Sequence, residues 1–557
     1  MALYIIYATN IKAQVAYFSN VKFTQADTLR GMLRPERTCY DVTHYELSVF
    51  IDIDSQRIIG NNKISYNVID NFTRLQIDLF ENLVIDSIIY NNKILDFERK
   101  FNAVFITTPE QTKGTHNQIV IYYHGQPKVA ENPPWDGGFV WAKDSLQNPF
   151  VGVACEGLGA SVWFPCKDYL GDEPDSALLH FIHPKDYQVV ANGKKVAASS
   201  QFFPFNLQLS TSSWKVSYPI NNYNITFYLG KFSHFVDYYI NSQNDSLTLD
   251  YYVLKYNEAR AKKHFEQVKP MLGCYEKYFD KYPFWNDGYK LVEAPYLGME
   301  HQSGIAYGNH YERGYNGGLI PADMNWDYLI IHESGHEYFG NAVSCNDHSD
   351  MWIHEAFTTY MEALYVECTA DYEEAIRYLE NHKNKIRNAD PIVGLRDVNF
   401  SQWIGSDMYF KGAWILHSLR NTFEKDEHFF ALLKNLYQHF RFKNIDTKDI
   451  INFINTYTEY NYTSFFEQYL YHPNPPKFVY QIEKKRKSVL LKYKWVCETP
   501  NFNMSLLVGN DKKYTRIYPT SDWQETIIKK CKPEEFRIAT ELFYITLLEM
   551  KQVKNNE

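Results

Sequence analysis

Ile331-His332-Glu333-Ser334-Gly335-His336-Glu337-Tyr338-Phe339-Gly340, followed by Trp352-Ile353-His354-Glu355-Ala356-Phe357, is the stretch on which the reading of this chain turns. Residues four apart share one face of an α-helix, so His332 and His336 can aim two imidazole nitrogens at one point. Glu333 sits one residue round from the first histidine, where its carboxylate can reach a water at that point without becoming a ligand. Eighteen residues lie between His336 and Glu355, enough for one helix to end and a second to return alongside. Glu355 is then the third ligand. Two histidines and one glutamate leave the fourth tetrahedral position open, which is the pattern of a catalytic rather than a structural zinc site, and one Zn2+ per chain is expected.

Working outward, the segment 327–343 is free of proline and carries Leu329, Ile330 and Ile331 ahead of the first histidine, so a helix is predicted over it. The bland alternative is a chance His-Glu-x-x-His on an ordinary amphipathic helix. Against it stands Glu362, seven residues and two helical turns after Glu355, where it can accept a proton from a ligand histidine and fix its tautomer.

The whole chain has 557 residues, enough for three or four domains with sizeable cores. A net charge of −9 argues against a nucleic-acid partner, and the one tight basic run, Lys484-Lys485-Arg486-Lys487, reads as a solvated turn. The eight cysteines contain no Cys-x-x-Cys pair and are too sparse for a disulfide scaffold, so they read as mostly buried thiols. No run of eighteen apolar residues occurs, which leaves no transmembrane segment. Residues 1–20, opening Met1-Ala2-Leu3-Tyr4-Ile5-Ile6-Tyr7-Ala8 and lacking leading basic residues, read as a degenerate export signal or an unstructured end. The expected location is periplasmic or secreted, with cytoplasmic the alternative.

Residues 21–240 read as an N-terminal antiparallel β domain: Tyr45, Leu47, Val49, Ile51 and Ile53 alternate with polar neighbours, and 119–123 looks like a strand buried on both faces. Within it, the segment 154–168, with its glycines and Pro165, is a loop rich in aromatic and acidic residues, either a structural Ω-loop or part of a site. Residues 241–475 are mainly helical and hold the metal stretch. His472-Pro473-Asn474-Pro475-Pro476 breaks any helix, and 476–557 read as a small β domain. The fold class is therefore multidomain α+β.

Gly298-Met299-Glu300-His301 bears on what a metal site here would act on. Gly298 permits close backbone approach, so an extended peptide can hydrogen-bond along Gly298 and Met299 as an added strand, while Glu300 supplies a negative charge suited to a free α-ammonium. If Glu156 converges on the same point, the two carboxylates hold one ammonium and block further chain on that side. The alternative is two unrelated surface acids. Tyr409, in Tyr409-Phe410-Lys411-Gly412-Ala413, reads from residues alone as a core tyrosine ahead of a buried helix.

Taken together, these motifs and their order resemble the zinc aminopeptidase family that includes aminopeptidase N and the bifunctional leukotriene hydrolase, over most of the chain. The resemblance implies a thermolysin-like catalytic domain between β domains, the last a small β-sandwich. It implies zinc ligands His332, His336 and Glu355, with Glu333 as general base and acid. It also implies Glu300 and Glu156 as anchors for the substrate's amino terminus, and Tyr409 as the donor to the tetrahedral oxyanion. The chain departs from the family pattern at Leu297, His301, His354 and Ala356, where glycine, asparagine, asparagine and glycine are usual. None of these is a ligand, the base or an anchor, but they bear on the shape of the first side-chain pocket. The region after Pro476 is too short for the large helical domain that many relatives carry.

The leading expectation is hydrolysis of the N-terminal bond of peptides with a free amino terminus. A thermolysin-like endopeptidase uses the same metal chemistry but leaves Glu300 and Glu156 without a role. A zinc-stabilised binding protein leaves Glu333 without one.

Overall fold

The computed structural model of the protein describes residues 17–18, 21–197 and 208–550. The export reading falls on residues 1–20, which lie outside the described residues apart from Tyr17 and Phe18.

Two short helices, Gln25–Gly31 and Pro35–Thr38, precede the first strand, Tyr40–Asp52, so no strand occurs in residues 21–39. That strand alternates as its sequence requires: Tyr45, Leu47, Val49 and Ile51 are fully buried against the domain core. It belongs to an eight-stranded sheet, beside a four-stranded and a three-stranded sheet. The large sheet is antiparallel as expected except at one pairing. Tyr40–Asp52 pairs in parallel with Ser176–Pro184, which returns to the large sheet only after the chain has built strands of both smaller sheets, a long crossover in place of a hairpin. Residues 119–123 are likewise not buried on both faces. Ile119, Ile121 and Tyr123 point inward while Tyr122 is 40% exposed, because one face of this sheet is solvated.

The strand Phe232–Ile240, read with the β domain, pairs instead with Ser246–Leu254 in a separate five-stranded sheet. Alternation in Phe232–Ile240 marks a strand without telling which sheet recruits it. Gly298–Met299 lies at the far edge of this sheet, antiparallel to Ile305–Tyr307, with its outer side unpaired by any strand among the described residues. Helices then dominate, among them Tyr328–Gly335, Trp352–Thr369 and Asp407–Arg420.

Helix Thr463–Tyr471 ends where the proline-rich run begins, and strand Lys477–Lys485 opens a sandwich of a four-stranded and a three-stranded sheet. Residues 488–496 form one strand, Ser488–Val496. The basic run turns this hairpin, with Arg486 at φ 54°. Six of the eight cysteines are buried, and no disulfide occurs among the described residues. No helix there is long and apolar enough to cross a membrane.

Candidate active site

Helix Tyr328–Gly335 is shorter than its proline-free sequence suggests. It starts at Asp327, a buried N-cap whose side chain accepts from the Leu329 and Ile330 amides at 2.9 and 3.4 Å. It ends at His336, whose amide still bonds the His332 carbonyl at 3.2 Å, so the four-residue spacing that pairs the histidines survives. Beyond it, Asn341, Ala342 and Val343 donate to carbonyls five residues back, and Gly340 takes φ 129°, a backbone open to glycine. The helix therefore unwinds into a wide turn instead of running to 343.

His332 Nε2 and His336 Nε2 lie 3.1 Å apart, and Glu355 Oε2, from helix Trp352–Thr369, lies 3.5 and 3.4 Å from them. A tetrahedral cation with ligand bonds of about 2.0–2.1 Å needs ligand atoms roughly 3.3 Å apart, so this triangle is the right size for one. The donor chemistry agrees. His332 Nδ1 donates to Glu362 Oε1 at 2.5 Å and His336 Nδ1 donates to the Phe339 carbonyl at 3.0 Å, which leaves both Nε2 lone pairs facing one point. Glu355 Oε2 is buried there with no hydrogen-bond partner. Burial works to raise the Glu355 carboxyl, yet the two histidines overturn that and hold it well below the usual carboxylate range. Three buried acceptors around one point call for a cation at its centre.

Glu333 faces the same space, and burial pushes its carboxyl up to about 7 against the pull of His332 and His336. Strand Gly298–Met299 lies directly on it. A Cβ on Gly298 would fall 2.2 Å from Leu329 Cδ2 and 2.8 Å from Glu333 Oε1, so this close approach needs glycine. Glu300 follows, 4% exposed, with carboxylate oxygen, Glu333 oxygen and His336 nitrogen all within 4.8 Å of one another. Glu156 lines the same cavity of about 230 Å³, and burial together with neighbouring Glu300 raises its carboxyl well above the usual range. The segment 154–168 thus holds a wall of the site, as well as a short 3₁₀ turn, Ala160–Val162.

Tyr409 stands in the first turn of helix Asp407–Arg420, its ring stacked on that of His332 with centroids 6.0 Å apart. It borders the cavity rather than the core. This helix packs on Trp352–Thr369 at Gly412, where an added Cβ would meet the Ala356 Cβ at 2.5 Å. The departures from the family pattern lie behind the site. His354 is buried, held neutral by burial, and accepts the Cys345 amide at 3.0 Å. His301 is buried and neutral, bonded to Tyr228 at 2.7 Å.

The structure therefore brings the ligand candidates, Glu333, Glu300, Glu156, Gly298, Met299 and Tyr409 around one cavity, with Glu362 behind His332. Sequence reading missed Trp135, Trp403 and Met408 on the cavity wall, and Tyr223, which donates to Glu300 at 3.0 Å. Trp135, Trp403 and Tyr223 come from separate loops and turns with no spacing to connect them, while Met408 precedes Tyr409 in helix Asp407–Arg420.

Residues 264–469, which span the ligand triangle, Glu333, Glu300 and Tyr409, match the sequence profile of the peptidase family M1 domain. Tricorn protease-interacting factor F2 of Thermoplasma acidophilum is 22% identical over 66% of this chain and 45% of that protein. Leukotriene A-4 hydrolase of Xenopus laevis is 21% identical over 76% of this chain and 69% of that protein. The chain thus spans under half the length of the first relative and about two thirds of the second. Among solved structures, the M1 zinc metallopeptidase of Deinococcus radiodurans matches 77% of this chain and 94% of its own at 18% identity and TM-score 0.62. Aminopeptidase A of Legionella pneumophila matches 92% of this chain and 60% of its own at 16% identity and TM-score 0.76. At these identities the likeness is one of fold, and it extends beyond residues 264–469 into the β-rich parts.

Proposed function

We propose that this protein is a zinc-dependent aminopeptidase that hydrolyses the N-terminal peptide bond of peptides. One observation carries the reading: two carboxylates, the buried Glu300 and the half-buried Glu156, line the cavity that holds the ligand triangle and Glu333. Buried acids without a cationic partner are costly, and a substrate α-ammonium supplies that partner.

His332, His336 and Glu355 would hold the zinc. When bound, zinc supplies a Lewis acid that polarises the scissile carbonyl and makes water a nucleophile near neutral pH. Glu300 and Glu156 bind the α-ammonium, which sets the first peptide bond, rather than a later one, beside Glu333. The edge strand Gly298–Met299 offers backbone groups along which an extended peptide can lie. Glu333 takes the proton of the attacking water and returns it to the leaving amine, a task suited to a carboxyl poised near neutrality. Tyr409 donates its hydroxyl proton in a hydrogen bond to the oxyanion as charge develops. The first twenty residues are proposed to direct export, which cell fractionation of the tagged full chain would test.

The test of function is a panel of aminoacyl anilides with free and N-acetylated amines, offered to the zinc-loaded protein. Cleavage of the free-amine series alone is expected. Equal cleavage of acetylated substrates would make the protein an endopeptidase, and cleavage of neither would make it a binding protein.

A further inference from the structure

The Glu300 carboxylate does not hold its own position. It follows a two-residue edge strand and precedes a loop in which Ser303 has φ 50°, so its backbone has little sheet to brace it. The bracing comes from the β domain. Tyr223, buried in the 3₁₀ turn Asn222–Asn224, donates its hydroxyl to Glu300 Oε1 at 3.0 Å. The next residue, Asn224, donates from Nδ2 to Asn341 Oδ1 at 2.7 Å, and Asn341 Nδ2 donates to the Glu300 carbonyl at 2.8 Å. Asn341 lies in the wide turn that unwinds the metal helix, and its amide bonds the His336 carbonyl at 2.9 Å. One turn of the β domain thus holds the side chain of Glu300 directly. Through Asn341 it also fixes the Glu300 backbone relative to His336.

We propose that the Asn222–Asn224 turn is a positioning element for the substrate amino terminus, with Tyr223 orienting the Glu300 carboxylate and Asn224 setting its distance from the metal ligands through Asn341. The inference rests on the aminopeptidase reading. Its geometry is specific: Tyr223 gives its hydroxyl proton to Glu300 Oε1 and does not line the cavity of the ligand triangle, so it acts through Glu300. Glu300 and Glu156 share one small cavity, and a fixed donor decides where the charge of the pair is presented. The β domain then carries part of the specificity for a free amine, besides supplying Glu156.

The experiment compares full-length zinc-loaded wild type, Tyr223→Phe and Asn224→Ala on free and N-acetylated aminoacyl anilides, with zinc content and thermal midpoint measured alongside. A hydrogen bond to a charged group contributes about 1.5–3 kcal/mol, so Tyr223→Phe is expected to raise KM for the free-amine substrate by about 10- to 100-fold. Its kcat should stay within about threefold of wild type, the mark of lost substrate binding without lost transition-state chemistry. Asn224→Ala should raise KM in the same sense and covers the case in which Tyr223→Phe does not fold. A folded variant with wild-type KM, or a loss confined to kcat, overturns the proposal while wild-type selectivity leaves the aminopeptidase reading standing. A wild type that ignores acetylation overturns both.

Discussion

Glu362 Oε1 lies 2.5 Å from His332 Nδ1, so a fully buried carboxylate two helical turns beyond Glu355 orients one of the two histidines that complete the ligand triangle with it. The other Glu362 oxygen accepts the hydroxyl of Tyr378, which keeps the carboxylate from turning away. An amide at this position keeps the shape but can present the wrong atom to Nδ1. Glu362→Gln is expected to weaken zinc binding by about 10- to 100-fold with the fold intact, as measured by competition with a chromogenic chelator. An unchanged affinity would remove Glu362 from the metal site.

Glu333 touches no ligand atom that the metal requires. Glu333→Gln should therefore bind zinc stoichiometrically while kcat falls by about 10²- to 10⁴-fold. Atomic absorption and steady-state kinetics on the same sample separate the two outcomes, and metal loss would place Glu333 among the ligands instead.

Gly298 is packed against Leu329 and Glu333 so closely that a single methyl group must displace one of them. Gly298→Ala is expected to lower kcat by about 10²-fold through misplacement of the Glu333 carboxylate, with little change in thermal midpoint. A variant that keeps wild-type kcat would show that Leu329 alone gives way.

Tyr409→Phe removes the hydroxyl and keeps the ring stacked on His332. A drop in kcat of about 10²- to 10³-fold at nearly constant KM is expected if the phenol serves the transition state. A rise in KM alone would make Tyr409 a wall of the substrate cavity and nothing more.

Cys368, half-buried near the end of helix Trp352–Thr369, is drawn down to about 7 by the neighbouring Cys274 thiol, against the opposing effect of burial. Its thiolate exists above that pH and disappears below it. Alkylation by iodoacetamide, read by peptide mass mapping, should modify Cys368 first at pH 7 and slow steeply towards pH 6. Cys274, whose thiol burial drives far upward, should stay unmodified. Equal labelling of both would overturn the assignment.

The local facts were legible in the sequence because they obey short periods. The spacing of His332 and His336 is one turn of helix, that of Glu355 and Glu362 is two, and the inward set Tyr45, Leu47, Val49 and Ile51 follows the pleat of a strand. Proline clustering after Tyr471 likewise ends a helix without help from the rest of the fold. Each of these is dictated by backbone geometry within a few residues. What the tertiary structure decided has no such period. Whether Phe232–Ile240 joins one sheet or another, that Ser176–Pro184 runs parallel to the first strand, and that Tyr223 and Asn224 meet Glu300 and Asn341 depend on contacts between residues far apart in the chain. Sequence fixes which side chains can ligate, donate or accept. Only the packing of elements far apart in the chain fixes which of the others share a point in space.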